Sequence, residues 1–323
     1  MILKMIGKRR LLVSTAGLLV AGTAKAQAKY PTEPIKLVVP RAPGGGTDIL
    51  VRLLAPGLEK KFGVPIIIDN RPDASAVVGA VVVAKAKPDG HTFLAADNAF
   101  YQNPAILDSL PYDTLKDFTA VTMMAQGPVI LIVHPSIPAK TLPELIELAK
   151  KTDLTFASGG IGASTHLVGV MLNLVAGTKI THVPFKGSGP ALIALLGGHV
   201  SMQFGGISSA APYIKDGKVR AIALTGDHRD QTLPDVPTFQ ESGVKGADVE
   251  SVWGLHAPAG TPLAIRRTLR DAVAEVMRDP DTVKKLIERG YETVVNTPEE
   301  HQVQTNALVA QWIEVGKTVN LKE

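Results

Sequence analysis

Two glycine-rich stretches hold the residues whose types and spacing could do chemistry. The first, Arg41-Ala42-Pro43-Gly44-Gly45-Gly46-Thr47-Asp48, follows the apolar run Lys36-Leu37-Val38-Val39 and opens a helical pattern. The second, Ser158-Gly159-Gly160-Ile161-Gly162-Ala163-Ser164-Thr165-His166, follows the short run Leu154 to Ala157 and also leads into a helix. Physically, each is a seat for an anion. Glycines bring a ligand to the backbone with no Cβ in the way, and a helix N-terminus presents unpaired N–H groups and the positive end of the dipole. Thr47 or Asp48 is the expected cap of the first helix. A glycine-rich strand-to-helix turn is equally an ordinary way to close a tight connection, so the rest of the chain must decide.

Several side chains stand beside these loops. Arg41, and Lys186 in Lys186-Gly187-Ser188-Gly189-Pro190, each read either as a solvated loop cation or as a second contact to the anion, bidentate in the case of Arg41. His166 reads as a ligand contact or as a hydrogen-bonded structural histidine. Asn98 lies in the stretch Asp97 to Gln102, read as a loop after a strand end, where ligands of open α/β sheets collect. Gly205 and Gly206 follow Phe204 at the end of a further strand.

Enzyme readings find little support. Gly160-Ile161-Gly162 sits between a strand and a helix, but the third glycine of a dinucleotide fingerprint falls on Thr165, and no acid for a ribose follows about twenty residues on. The Gly-Lys-Ser/Thr of a phosphate loop is missing. The nearest approach to a serine-hydrolase elbow, Gly206-Ile207-Ser208-Ser209-Ala210, lacks its last glycine, and Ser208 serves better as a helix N-cap. The eight histidines are scattered singly, which leaves a metal site unsupported. No catalytic constellation, cofactor or metal is expected.

The elements that must position these loops follow from patterning. Ile35 to Val39 and Pro65 to Asn70 read as strands apolar on both faces, the mark of a parallel sheet covered by helices. Between them Asp48 to Phe62 is helical, stopped by Gly63. Ala76 to Lys87 is helix by its length and the strand–helix rhythm, and Thr92 to Ala96 a strand. Val121 to Met124 and Pro128 to His134 form a strand pair or one interrupted strand, with Ala125-Gln126-Gly127 a candidate domain crossing. Thr141-Leu142-Pro143-Glu144 is a capping box. Further strands are expected at Thr181–Phe185, His199–Phe204, Arg220–Thr225 and Val249–Ala257. Helices are expected at Ala191–Leu196, Ser208–Asp216, Thr261–Arg278, Asp281–Arg289 and from Thr297 onward. Each half of the chain thus has strand, glycine loop, helix.

The first 26 residues read as a secretory leader: Lys4, Lys8, Arg9 and Arg10 without an acid, then an apolar stretch, then Ala24-Lys25-Ala26. Five positive charges leave with them, so the formal net charge of +4 becomes −1 and nucleic-acid binding loses compositional support. Without cysteine there is no lipid attachment, disulfide or thiolate metal site, and a free protein outside the cytoplasm is expected. The remaining 297 residues exceed one usual core, so two domains are the default.

Secretion, paired glycine loops and no catalytic constellation favour capture over chemistry, and a series of motifs narrows this. Val38-Val39-Pro40 with Gly44 to Asp48, Asn70-Arg71-Pro72, Lys87-Pro88-Asp89-Gly90, Leu110-Pro111-Tyr112-Asp113, Val183-Pro184-Phe185-Lys186-Gly187, Leu233-Pro234-Asp235-Val236-Pro237-Thr238 and Ala257 to Pro262 stand in order along the whole mature chain. In these the sequence resembles the Bug (Bordetella uptake gene) proteins, periplasmic receptors of tripartite tricarboxylate transporters. The resemblance implies a two-domain α/β fold of the type II periplasmic-binding-protein kind, with mixed, mainly parallel sheets. It places one domain at residues 29–126 plus 253–323, the other at 127–252, and a hinge of two crossing strands between them. It implies a monomer that closes on a small carboxylate and hands it to the membrane components of the transporter. Gly44 to Asp48 would face Ser158, Gly160, Gly162, Ser164 and Thr165 across the cleft.

Three places depart from the family's usual pattern: Arg41-Ala42-Pro43, Asp73-Ala74-Ser75-Ala76, and Gly205-Gly206 where many members carry an acid. These lead to the expectation of a carboxylate without an ammonium, either a dicarboxylate reaching Arg41 or a bulky monocarboxylate filling the space at the glycines. The alternative is a secreted α/β hydrolase-like enzyme using the glycine loops as an oxyanion site.

Overall fold

The computed structural model describes residues 30–318; the expected leader lies outside them. In chain order the elements begin with β1 (Ile35–Val39), α1 (Gly46–Phe62), β2 (Ile66–Asn70), α2 (Val77–Ala84), β3 (Thr92–Ala96), α3 (Asn98–Ile106) and β4 (Phe118–Gly127). The chain continues through β5 (Val129–Val133), α4 (Leu142–Ala149), β6 (Thr155–Ser158), α5 (Ser164–Ala176), β7 (Thr181–Pro184), α6 (Ser188–Leu196), β8 (Met202–Gly206), α7 (Ile207–Lys215) and β9 (Arg220–Leu224). It closes with β10 (Ser251–Pro258), α8 (Leu263–Arg278), α9 (Pro280–Ile287), β11 (Glu292–Thr293) and α10 (Pro298–Thr318).

Among the described residues the strands form two sheets, one of six strands in the order β11-β4-β10-β3-β1-β2 and one of five in the order β7-β6-β8-β5-β9. Each sheet, flanked by helices, makes a lobe, giving the mixed α/β, two-domain architecture. In the first lobe β1 pairs in parallel with β2 and β3, whereas β10 runs antiparallel to β3 and β4. In the second, β6 is parallel to β7 and β8, and β5 is antiparallel to β8 and β9. The chain crosses between sheets where β4 gives way to β5 at Pro128 and where Glu250 enters β10; Ser251 pairs with Gly127 at that point.

Period-two patterning explains how the second sheet is buried on both faces. Val129, Leu131 and Val133 of β5 point into one core with Phe156, Leu167 and Phe204, while Ile130 and Ile132 point into another with Leu192, Leu195 and Leu224. Ile106 and Trp312, from α3 and α10, join the first of these cores.

The structure corrects several local expectations. β2 is an edge strand, and Ile67 is 45% exposed, so it is not covered on both faces. Asp97 to Gln102 is not a loop: Asp97 caps α3 by accepting the Ala99 N–H at 3.0 Å, and Phe100 and Tyr101 are buried on that helix. α1 starts at Gly46 with Gly45 as its cap, so Thr47 and Asp48 lie in the first turn. α6 starts at Ser188, not Ala191, because Gly187 (φ 141°) turns the chain and Pro190 falls in the first turn, where its missing N–H costs nothing. Ser208 is not a cap either; Gly206 caps α7.

Candidate functional site

α1, α3, α5, α6 and α7 each begin after the carboxyl end of β1, β3, β6, β7 or β8. Carboxyl ends of strands are where open α/β sheets collect ligands. Here the helix starts of both lobes meet around one cleft of about 40 Å³, a few times the space one water needs.

The first loop is held by charge. Asp48 is buried, and its carboxylate accepts the Gly44 N–H at 3.0 Å, Arg52 Nε at 2.9 Å and Asn70 Nδ2 at 2.9 Å. Asn70 Nδ2 also donates to the Arg41 carbonyl at 3.0 Å. Burial raises the Asp48 pKa, but the hydrogen bonds from Arg52, the Gly44 amide and Asn70, with the Arg52 charge, outweigh it and hold the carboxyl below its ordinary range. Gly46 packs against Trp253, where an added Cβ would lie 2.9 Å from Cζ2, and Tyr291 Oη donates to the Gly46 carbonyl at 2.6 Å.

Within its own lobe the second loop is held by hydroxyls and imidazoles. Ser158 Oγ lies 2.6 Å from His182 Nε2 and accepts the Gly160 N–H at 3.0 Å. Thr165 Oγ1 accepts the Gly159 N–H at 2.9 Å, and His166 Nδ1 accepts the Gly162 N–H at 3.3 Å. The rings of Phe156, His182 and His166 stack in series, with centroids 4.7 and 4.5 Å apart. Gly160 and Gly162 take φ of 118° and 73°, which L side chains rarely adopt.

The lobes touch across the cleft, so the arrangement is closed. The Ala42 N–H donates to the Lys186 carbonyl at 2.7 Å, and Ser164 Oγ meets Ser251 Oγ at 2.8 Å. Gly44 faces Gly189, and a Cβ on Gly160 would stand 2.1 Å from the Ala74 carbonyl oxygen. Arg41, 4% exposed in its side chain, donates from Nε to Asp97 Oδ2 at 2.6 Å and from Nη1 to the Gly159 and Ala74 carbonyls at 2.8 and 3.0 Å.

Of the residues singled out by sequence, Arg41, Gly45, Gly46, Thr47, Asn98, Ser164, Thr165 and Gly206 line the cleft. Gly44, Asp48, Ser158, Gly160, Gly162 and His166 stand behind it and shape the loops. The Lys186 side chain is exposed and its carbonyl makes the contact. Gly205 lies beside Gln203, off the cleft. Arg41 cannot grip a carboxylate in the bidentate manner, because Nε and Nη1 are already engaged. The Asn98 amide joins Glu250 and Val252, fastening α3 to β10. Asp97, Gly159, Ala163, Gly187, Ser188, Ser251 and Trp253 also line the cleft; Gly159 and Ala163 belong to the second glycine loop read from the sequence and Gly187 and Ser188 to the loop at Lys186, whereas Ser251 and Trp253 were not read as site residues. The glycine before Ser188, followed by Pro190, is the signal that would have exposed the α6 start.

Two α/β lobes joined by strand crossings and closing on converged helix N-termini define a two-domain solute-binding protein. The chain belongs to the tripartite tricarboxylate transporter family receptors, whose family model matches residues 50–321. It is similar to protein BugT of Bordetella pertussis, with 31% identity over 306 residues, 94% of this chain and 92% of that one. Among solved structures, the periplasmic binding protein BugD superposes with a TM-score of 0.87 at 33% identity, covering 91% of this chain and 100% of its own. MatC from Rhodopseudomonas palustris, solved with bound malate, gives 0.85 at 33% identity, covering 89% of this chain and 100% of its own. These relatives support a receptor and give the hydrolase alternative no support.

Proposed function

We propose that this chain is a periplasmic receptor that captures a small organic carboxylate between its lobes and delivers it to the membrane components of a tripartite tricarboxylate transporter. The observation that carries this reading is the convergence of the N-termini of α1, α3, α5, α6 and α7 on one closed cleft. Each helix end contributes about half a positive charge, and together they suit a carboxylate with no cation left over. Arg41 and Asp97 neutralise one another, so the helix ends supply most of the attraction. The malate bound to MatC is in keeping with this chemistry.

The receptor acts as a monomer, with one domain of residues 29–126 plus 253–323 and another of 127–252, after removal of a leader ending near Ala26. Closure around the acid is hinge motion at the two crossings. The ligand leaves unchanged, so the protein is not an enzyme. A thermal-shift panel of organic acids, with mass spectrometry of whatever unfolding releases, tests the reading. An acid at a hundred times its dissociation constant adds about 2.7 kcal/mol, a rise of several degrees for a chain of this size. A flat panel with no released acid, or conversion of the bound acid to a new species, contradicts it.

A further inference from the structure

The Arg41 guanidinium has three nitrogens, and they are in three different situations. Nε is spent on Asp97, within the same lobe. Nη1 bridges the lobes, donating to the Ala74 carbonyl of the first and the Gly159 carbonyl of the second. Nη2 is buried with no acceptor among the described residues, on a side chain that is 4% exposed and belongs to a residue lining the cleft. A buried guanidinium donor without an acceptor is costly, and an oxygen of a ligand bound in the cleft that Arg41 lines would relieve that cost.

Resting on the carboxylate-receptor reading, we propose that Arg41 couples ligand discrimination to closure. Nη2 takes a second oxygen group of the bound acid, beyond the carboxylate seated on the helix ends. Asp97 and the Ala74 carbonyl hold the fork within the first lobe, and Nη1 gains its second acceptor, the Gly159 carbonyl, when the second lobe arrives. A planar guanidinium transmits this directly, because fixing Nε and Nη1 fixes Nη2. An acid with a bare alkyl tail leaves Nη2 dry and closes the cleft less well. An ammonium in that place meets a cation, while Asp97 is occupied by Arg41 and the Ala99 amide.

Calorimetric titration of two matched pairs, succinate against butyrate and adipate against hexanoate, tests this on the full mature protein. In the wild type at least one diacid should bind about tenfold or more tighter than its monoacid partner, the gain expected of one charge-assisted contact. In Arg41→Met that ratio should fall to about one, and the monoacid affinity should fall as well, because the lobe-bridging contact to Gly159 is lost and Asp97 is left unpaired beside the cleft. Should Arg41→Met not fold, Arg41→Gln gives the same reading, since its neutral amide keeps polar contacts in the loop but offers no cation to a second carboxylate; the ratio should again collapse. A ratio that persists in the folded variant overturns the proposal, as does a wild type with no discrimination in either pair. No binding by any of the four acids overturns it too, while the receptor reading falls only if the wider panel and the released-ligand spectrum are also empty.

Discussion

The two glycine loops face one cleft but are held by opposite means. In the first, a buried carboxylate gathers the Gly44 amide, Arg52 and Asn70, and Arg41 is paired with Asp97. In the second, hydroxyls and imidazoles hold the backbone: Ser158 with His182, Thr165 on Gly159, His166 on Gly162. Charge-assisted bonds are stronger and their loss leaves a buried charge behind, whereas neutral bonds contribute modestly and fail gently. The first loop should therefore be the stiffer half of the site and the second the half that opens more readily.

The contact most able to break this arrangement is at Gly160. A side chain there must adopt φ 118° and stand against the Ala74 carbonyl in the closed state. Gly160→Val should lower ligand affinity by about a hundredfold or more, and it should also destabilise the second lobe, because opening relieves the contacts with Ala74 and Arg41 but not the one with the Phe185 carbonyl, 2.7 Å away in the same lobe, nor the strain at φ 118°. Gly45→Val should cost less, about tenfold, since its Cβ makes only ordinary contact with the Ser188 amide, 3.5 Å away. Equal affinity in both variants and the wild type would mean that the loops do not close on the ligand.

Replacing one member of each network sharpens the comparison. Asp48→Asn should destabilise the fold by about 2 kcal/mol, discounted because Arg52 is half exposed, and Ser158→Ala by about 1 kcal/mol. Denaturant melts of the two variants check the order. Ser158→Ala proving the more damaging would reverse the assignment of the stiffer half.

Acid should act on the first lobe before the second. His256 and His301, ring centroids 4.7 Å apart, are buried in the first lobe near Tyr101, with Thr305 Oγ1 at 3.2 Å from His256 Nε2. Burial holds the His301 pKa down to about 3, and burial together with His301 holds that of His256 well below its ordinary value. Both are neutral when folded, and the unfolded chain takes up their protons as pH falls below about 6.5. Stability is thus complete above that value and is lost at about 1.4 kcal/mol per pH unit per histidine on the way down. Asp48, with its lowered pKa, adds a further loss only below the ordinary aspartate range. Hydrogen exchange compared at about pH 5 and pH 7 should show α10 and β10 opening first. Earlier opening of β6 and α5 would contradict this. The smallest effect belongs to Lys186→Ala, where only the backbone makes the cleft contact; affinity should change by less than about twofold.

Much of this was legible in the sequence because glycine and helix-opening residues carry local physics. The glycine loops leading into α1 and α5, the stops at Gly63 and Gly177 in the left-handed region, and the Thr141 cap are all visible in short windows. What was hidden depends on distant partners. Arg41 and Asp48 each sit beside a glycine loop, yet one lines the cleft and the other stands behind it, and only Asp97, Asn70 and Arg52 decide which. Trp253 reads as core inside an apolar strand, but β10 runs antiparallel to β3, so its first residues arrive at the carboxyl end where the helices begin. Two departures from the family pattern, Arg41 and the Asp73–Ala76 tetrad, also meet, through Nη1 and the Ala74 carbonyl. Ala76 takes φ 59° next to that carbonyl, a conformation glycine would adopt freely.

In the proposed receptor, one carboxylate is held by backbone amides from both lobes at once. Amide chemical shifts followed during titration with succinate, or with the tightest acid of the panel, test it most directly. Gly45, Gly46 and Thr47 in the first lobe and Ser164, Thr165 and Ser188 in the second should move together and saturate with a single dissociation constant. Shifts confined to one lobe, or two sets saturating at different concentrations, would contradict it.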